Sequence, residues 1–159
     1  MRLRTVILVA LVAVIVVALI FLYPYITFKP PVVVSSNWGF SSQSSLVSVV
    51  FYMDFWLRNP NPYTISIISS SITVTYDDGV TINLQPEYLP VEIQSHSVNT
   101  TIYIGGISPG QATQLALSPP TSYVASWQVT LQTPLGIKTI TCTATIYITT
   151  NQTSQTCTE

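Results

Sequence analysis

Cys142 and Cys157 are the side chains with the most reactive chemistry in a chain otherwise rich in hydroxyls and amides. Cys142 shares the inward parity of Ile140, Ala144, Ile146 and Ile148, whereas Cys157 lies in the C-terminal tail. In an exported domain the pair is expected to form a disulfide. The 14 intervening residues would then be closed into a loop, stabilising the fold by about 3 kcal/mol through loop-closure entropy. The other arrangement is a buried free thiol at Cys142, with Cys157 bridging to a partner chain. Asn99-Thr100-Thr101 and Asn151-Gln152-Thr153 are N-glycosylation sequons, usable if the chain is exported.

The remaining candidates for chemistry are isolated. His96 is the only histidine, and a zinc site needs three or four nitrogen or sulfur ligands. No serine sits in a G-x-S-x-G elbow, and no glycine-rich phosphate loop is present. Asp77-Asp78-Gly79 could be read as a cation site, but two carboxylates on a hairpin are a poor cage for calcium; a tight turn is the expectation. Asp54 and Arg58 share the outward face of one strand pattern and are expected to pair weakly in solvent. No catalytic, cofactor or metal site is assigned, and the chain is expected not to be an enzyme.

Charge narrows the partners. Only 7% of residues are charged, against roughly 25% in an average soluble protein. Arg2, Arg4 and Lys29 belong to the N-terminal segment and its flank. Of 5 basic and 6 acidic residues, Arg58 and Lys138 therefore remain against six carboxylates, a net of −4. Nucleic acid is excluded as an expected partner, because phosphate binding needs clustered lysine or arginine. So few ionisable groups suit an acidic exterior.

What must position these residues is an anchor followed by strands. Val6 to Leu22 is apolar throughout, a run that at 1.5 Å per residue spans most of a ~30 Å hydrocarbon core. Arg2 and Arg4 precede it and only Lys29 follows closely, which puts the N-terminus in the cytoplasm and the rest outside the cell membrane. A cleaved signal peptide also begins with basic and apolar residues. Its apolar part is shorter and ends at small residues, unlike Phe21-Leu22-Tyr23-Pro24-Tyr25 here. The expected organisation is a cytoplasmic N-terminus (1–4), a transmembrane helix (5–25), an extracytoplasmic linker (26–45), a β-domain (46–150) and a C-terminal tail (151–159).

From Leu46 to Arg58 the residues Val47, Val49, Phe51, Met53, Phe55 and Leu57 occupy one face of a strand. Ile65 and Ile67 start the next strand on one parity, while Ile72, Val74 and Tyr76 continue on the other, so a bulge is expected within Ser69-Ser70-Ser71. Asp77-Asp78-Gly79 turns into Val80, Ile82 and Leu84. Val98, Thr100, Ile102 and Ile104 alternate with Asn99, Thr101 and Tyr103; this places Asn99 on the outward parity, and Gly105-Gly106 ends the strand. Ser108 caps a short helix over Pro109–Leu117. Tyr123, Ala125, Trp127, Val129 and Leu131 face inward on the strand that follows. About seven strands and one short helix indicate an all-β fold, an immunoglobulin-like antiparallel β-sandwich.

Arg58-Asn59-Pro60-Asn61-Pro62-Tyr63 after a hydrophobic strand, with Thr133-Pro134-Leu135-Gly136 before the last strand, resembles the group 2 late embryogenesis abundant domain, also called the water stress and hypersensitive response domain. The resemblance spans roughly Leu46 to Ile148. It implies a seven-stranded sandwich without enzymatic activity, with members linked to stress protection and, when tethered, to surface or lipid-related roles. Asn59, Pro60, Asn61 and Pro62 are explained physically as the end of a strand: proline removes an N–H, and asparagine satisfies the groups left over. The anchor and low charge depart from the soluble members and put a hydration-shell role in doubt. The expected function is a membrane-anchored, non-catalytic binding or scaffolding domain, or an accessory subunit of a surface complex. Its partners would be the lipid bilayer and other membrane or surface chains. The alternatives are a pilin-like subunit of a filament or coat and a lipid- or apolar-ligand-binding domain.

Overall fold

Seventeen consecutive apolar residues have no polar face to turn outward, and they form a helix, α1 (Arg2–Ile26). The computed structural model describes residues 2–41, 48–150 and 152–159, with the side chains of α1 described from Ala10 onward. Among the described residues no helix is long and apolar enough to cross a membrane. Pro24 lies in the last turn of α1. There Thr27 restores a terminus, its N–H and its hydroxyl both donating to the Tyr23 carbonyl at 3.2 and 3.0 Å.

Among the described residues nine strands follow: β1 (Val32–Phe40), β2 (Val49–Arg58), β3 (Ile65–Tyr76), β4 (Thr81–Pro86), β5 (Val91–Ile93), β6 (Val98–Ile107), β7 (Ser122–Thr133), β8 (Gly136–Tyr147) and β9 (Gln152–Thr158), with α2 (Pro109–Leu117) between β6 and β7. They pair in the order β1-β2-β6-β4-β3-β7-β8-β9, with β5 added to β3, and every pairing is antiparallel. The seven strands expected from the sequence are joined by two more.

Those two correct the expected organisation. Residues 26–45 contain no free linker through Val32–Phe40, which is β1 paired along β2 from Val32↔Arg58 to Phe40↔Phe51, with a register shift between Val33 and Ser35. A Ser-rich composition reads as coil, yet the N–H and C=O groups along the β2 edge need partners, and β1 supplies them. The rest of that segment, and Leu46 and Val47 at the head of the expected first strand, lie partly outside the described residues. The C-terminal tail is likewise β9, paired with β8 from Thr158↔Thr141 to Gln152↔Tyr147.

Ladder partners share a face, which fixes the core. Phe51, Met53, Phe55 and Leu57 are buried on β2 as expected. They sit opposite Gly105, Tyr103, Thr101 and Asn99. The inward parity of β6 is therefore that of Thr101 and Tyr103, the reverse of the sequence reading; Ile104 faces out, and β6 runs on to Ile107. A Cβ on Gly105 would stand 2.4 Å from the Asn83 carbonyl oxygen, so glycine lets β6 pass close to β4 at that point. The parity change in β3 falls at Ile68, between Ile67 and Ser69, one residue before the serine run. It turns Ser70 inward to bond the buried Tyr103 hydroxyl at 2.8 Å. Tyr123, Ala125, Trp127, Val129 and Leu131 are buried as expected, as are Ile140, Cys142, Ala144 and Ile146; Ile148 lies beyond β8 and is exposed. Phe55 spans the core, with ring centroids 5.8 Å from Tyr103 and 6.4 Å from Trp127.

The sheet curls until its two ends meet. Gln155 of β9 donates from Nε2 to the Pro31 carbonyl at 2.8 Å and accepts the Val33 N–H at 3.0 Å. One side chain thus bridges the seam that no ladder closes. Cys142 and Cys157, directly paired in register, form the expected disulfide behind it. Gln155 Nε2 also lies 3.0 Å from the Cys157 sulfur. Replacing both cysteines by alanine is expected to lower unfolding stability by about 3 kcal/mol. Denaturant titration would measure the loss, with amide exchange rising first in β9. An unchanged midpoint, in the variant and in the reduced protein, would contradict the stapling role.

Candidate functional site

The two proline motifs, remote in sequence, come together at the end of the sheet where α1 leaves it. β2 ends at Arg58, and the Asn-Pro-Asn-Pro turn follows because neither proline can donate to a ladder. That leaves carbonyls and N–H groups of three segments facing one another. Asn59 and Asn61, both fully buried, satisfy them. Asn59 Nδ2 donates to the carbonyls of Tyr63 at 2.7 Å and Ile93 at 3.0 Å. Its Oδ1 accepts both the backbone N–H and the side-chain amide of Asn61 at 2.9 Å. Asn61 Oδ1 accepts the Lys29 N–H at 2.8 Å, and Asn61 Nδ2 donates to the Lys29 carbonyl at 2.8 Å. The side chain thus mimics a strand partner for a single residue. That residue is the third after α1, so the helix exit is bonded straight onto the domain.

The second motif stands beside it. Thr133 and Gly136 pair across a two-residue turn of Pro134 and Leu135. Thr133 Oγ1 donates to the Gly136 carbonyl at 2.8 Å and accepts the Leu135 N–H at 3.1 Å. Gly136 takes φ +110°, closed to other residues without strain. Leu135 lines an open recess of about 520 Å³ with Ile26, Thr27, Phe28, Lys138 and Glu159. Lys138 and Glu159 form an ion pair at 3.2 Å. His96 closes the end from the β5–β6 turn, at φ +52°, its N–H donating to the Asn61 carbonyl at 3.3 Å; its role is in the backbone.

The other sequence candidates are dispersed. Asn99 is exposed, with Nδ2 donating to the Glu92 carbonyl at 2.7 Å, so a glycan would take the second amide hydrogen. It shares the parity of inward Thr101 and Tyr103 and is exposed because it lies at the strand's end. Asn151 lies outside the described residues. Asp54 and Arg58 do not pair: four residues along a strand is ~13 Å, beyond the reach of a salt bridge, and the ion pair among the described residues is Lys138–Glu159. Among the described residues no group of three or more histidine, cysteine or acidic side chains is arranged to hold a metal.

Asp77 has a role that sequence reading missed. Beyond making the expected turn, it accepts the Thr121 hydroxyl at 2.5 Å and the Thr121 and Ser122 N–H groups at 3.0 and 3.3 Å. Ser122 opens β7 and Thr121 precedes it, so Asp77 ties the turn to the start of that neighbouring strand. The Thr121 hydroxyl bond, ahead of the backbone ones, holds its carboxyl below the ordinary 3.8. An aspartate just before a Gly turn, with a Pro-Pro-Thr-Ser segment elsewhere, was the available signal. Asp54 is shifted the other way: partial burial on the outer face of β2 raises it above 3.8.

No known family's sequence profile matches the chain, and no curated protein does. Solved structures with a similar sheet include a protein of Archaeoglobus fulgidus, at 12% identity and a TM-score of 0.45 over 80% of this chain and 98% of that one. A protein described as ApaA of Bordetella pertussis is similar at 12% identity and a TM-score of 0.39, over 81% and 95% of the two chains. The likeness is loose.

Asn61→Ala would strand the Lys29 backbone groups without partners and take from Asn59 Oδ1 one of its two donors, and is expected to cost about 3 kcal/mol. Limited proteolysis should then cut between Thr27 and Pro31 faster than in the parent chain. The two shifted acids predict a shallow pH profile. The contribution of Asp77, depressed in the fold, is complete above 3.8 and lost as pH falls toward its folded value. Asp54, raised in the fold, destabilises at neutral pH, and that penalty lifts as pH falls through its folded value toward 3.8. Melting temperatures measured from pH 7 to 3 should rise slightly as pH falls toward 3.8 and decline below it. Asp77→Asn should abolish the final decline, and Asp54→Asn should remove the preceding rise.

Proposed function

We propose that this chain is a membrane-anchored, non-catalytic domain that presents a charge-poor β-surface outside the cell, as a binding or scaffolding module or the accessory subunit of a surface complex. The observation that carries this reading is α1. From Leu11 to Ile26 its large apolar side chains are exposed all round, Phe21 at 72%, and none belongs to the core of the sheet. A helix without a polar face is stable only where something apolar covers it. The run begins at Val6 in the sequence, which gives it nearly the length of a bilayer. The end-on union of Asn61 with Lys29 supports a domain held at a fixed attitude to its anchor.

The finer architecture is read as an immunoglobulin-like sandwich, with β1, β2 and β6 facing β3, β7 and β8 and with β4 crossing between the layers. The meeting of the Asn59–Pro62 and Thr133–Gly136 motifs at one end supports distant kinship with the group 2 late embryogenesis abundant domain. A filament subunit would need an extended segment free to pair with a neighbouring chain, whereas Val32–Phe40 is bonded as β1 to β2 of its own chain. The apolar-ligand alternative needs room between the layers, and the cavity lined by Val33, Phe55, Leu57, Ile72, Tyr103 and Trp127 holds only about 10 Å³, space for about one water. Lipid and drug-sized ligands need several hundred.

Alkaline carbonate extraction tests the anchor. The full chain is expected to stay in the membrane pellet and a chain lacking residues 1–26 to appear in the supernatant. Recovery of the full chain in the supernatant would overturn the reading. Added from outside to intact cells, protease should reach the domain.

A further inference from the structure

Polarity is distributed unevenly over the two ends of the sheet. The end away from α1 carries Asp77 and Asp78 in the β3–β4 turn, and no lysine or arginine lies there. All three basic residues beyond α1 gather at the other end, from three separate stretches of chain. Lys29 is at the helix exit, Arg58 is paired with Val32 and Val98 at the foot of β2, and Lys138 is on the wall of the recess shared with Ile26 and Phe28. Acids at this end are Glu159, engaged by Lys138, and Glu92 on β5. Between the cations stand exposed apolar side chains that no core claims: Leu135 at the hairpin tip, Ile137 at 68% exposure beside it, and Val98 at the foot of β6.

Taken with the anchor reading, on which this step rests, the geometry points to a second membrane contact. We propose that the α1-proximal end is a lipid-facing surface, with the Thr133–Ile137 hairpin dipping Leu135 and Ile137 into the headgroup region of the leaflet α1 leaves, while Lys29, Arg58 and Lys138 meet anionic headgroups. Three observations favour lipid as the occupant. Leu135 lines one recess with Ile26, the last residue of α1, and with Phe28 just beyond it, so its apolar side chain stands beside the helix exit. The Lys29–Asn61 bonds leave no slack to lift the domain away. The cations are concentrated at this end of a domain whose acids outnumber its bases, matching a negatively charged surface rather than an acidic partner of arbitrary position. The mode is that of an interfacial anchor, apolar wedge plus basic rim, added to a spanning helix.

The test uses the full chain in vesicles of phosphatidylcholine, with or without phosphatidylglycerol, carrying a lipid with a clickable tag. A benzophenone amino acid replaces Leu135, Ile137, Ile15 in α1, or Val124 on the outer face of β7, one at a time. Lipid adducts are expected at positions 135, 137 and 15 but not 124. With Lys29, Arg58 and Lys138 changed to glutamine, capture at 135 should fall about fivefold in phosphatidylglycerol vesicles and little in phosphatidylcholine alone. Capture at 15 without capture at 135 and 137 overturns the lipid seat and leaves the anchor intact. No capture at 15 overturns the anchor and this inference together. Equal capture at 124 shows no preferred face and also overturns the seat, and indifference to the glutamine changes overturns its electrostatic part.

Discussion

Where a strand ends in Asn-Pro-Asn-Pro, the backbone groups of its neighbours must be bonded by something other than a ladder, and in this protein two buried asparagine amides perform that task. Asn59 holds the β5 end and the Tyr63 turn; Asn61, oriented by Asn59, holds Lys29. Because an unpartnered buried amide costs as much as a bond is worth or more, the arrangement tolerates few alternatives. It sets where β1 begins, and with β1 the whole edge of β2.

The opposite problem, two sheet ends with free edges, is met by a side chain and a covalent bond. Gln155 serves as an acceptor for Val33 and a donor to Pro31, completing the seam between β1 and β9 with the groups a ladder pair would have used. The disulfide fixes β9 against β8 at the same level. Edge strands are usually guarded by charge. Here they carry none, and the protection comes from the curl that turns the two edges toward each other.

The scarcity of charge has a related consequence. The interior closes around aromatic rings, with the Ser70–Tyr103 bond among its few polar features. The Tyr123 hydroxyl, bonded to Ser36 across the core, is pushed by burial up to about 12. Asp77 works as a structural acceptor, and Asp54 merely tolerates its half-buried place. Asp77 apart, carboxylates therefore count for little in the fold's stability, and the positive charge beyond α1, with Lys138 paired to Glu159, marks one end of the domain.

Much of the fold was legible in the chain because alternation is a local signal. β2, β7 and β8 have large apolar residues at every second position, and α2 has its Ser108 cap and Pro109 start, so each could be placed without neighbours. The pairing of Cys142 with Cys157 followed from there being two cysteines. β6 misled because its aliphatic residues face out and its inner face is threonine and tyrosine; only the register against β2 decides that. β1 and β9 were invisible because serine, threonine and glutamine become strand when an edge offers hydrogen bonds, a condition no local pattern contains. By itself the sequence determined the apolar helix and the alternation that makes most of the strands. The tertiary structure decided that both proline motifs and every cation beyond α1 share one end, because only the pairing of strands distant in sequence brings residues 29, 58 and 138 together.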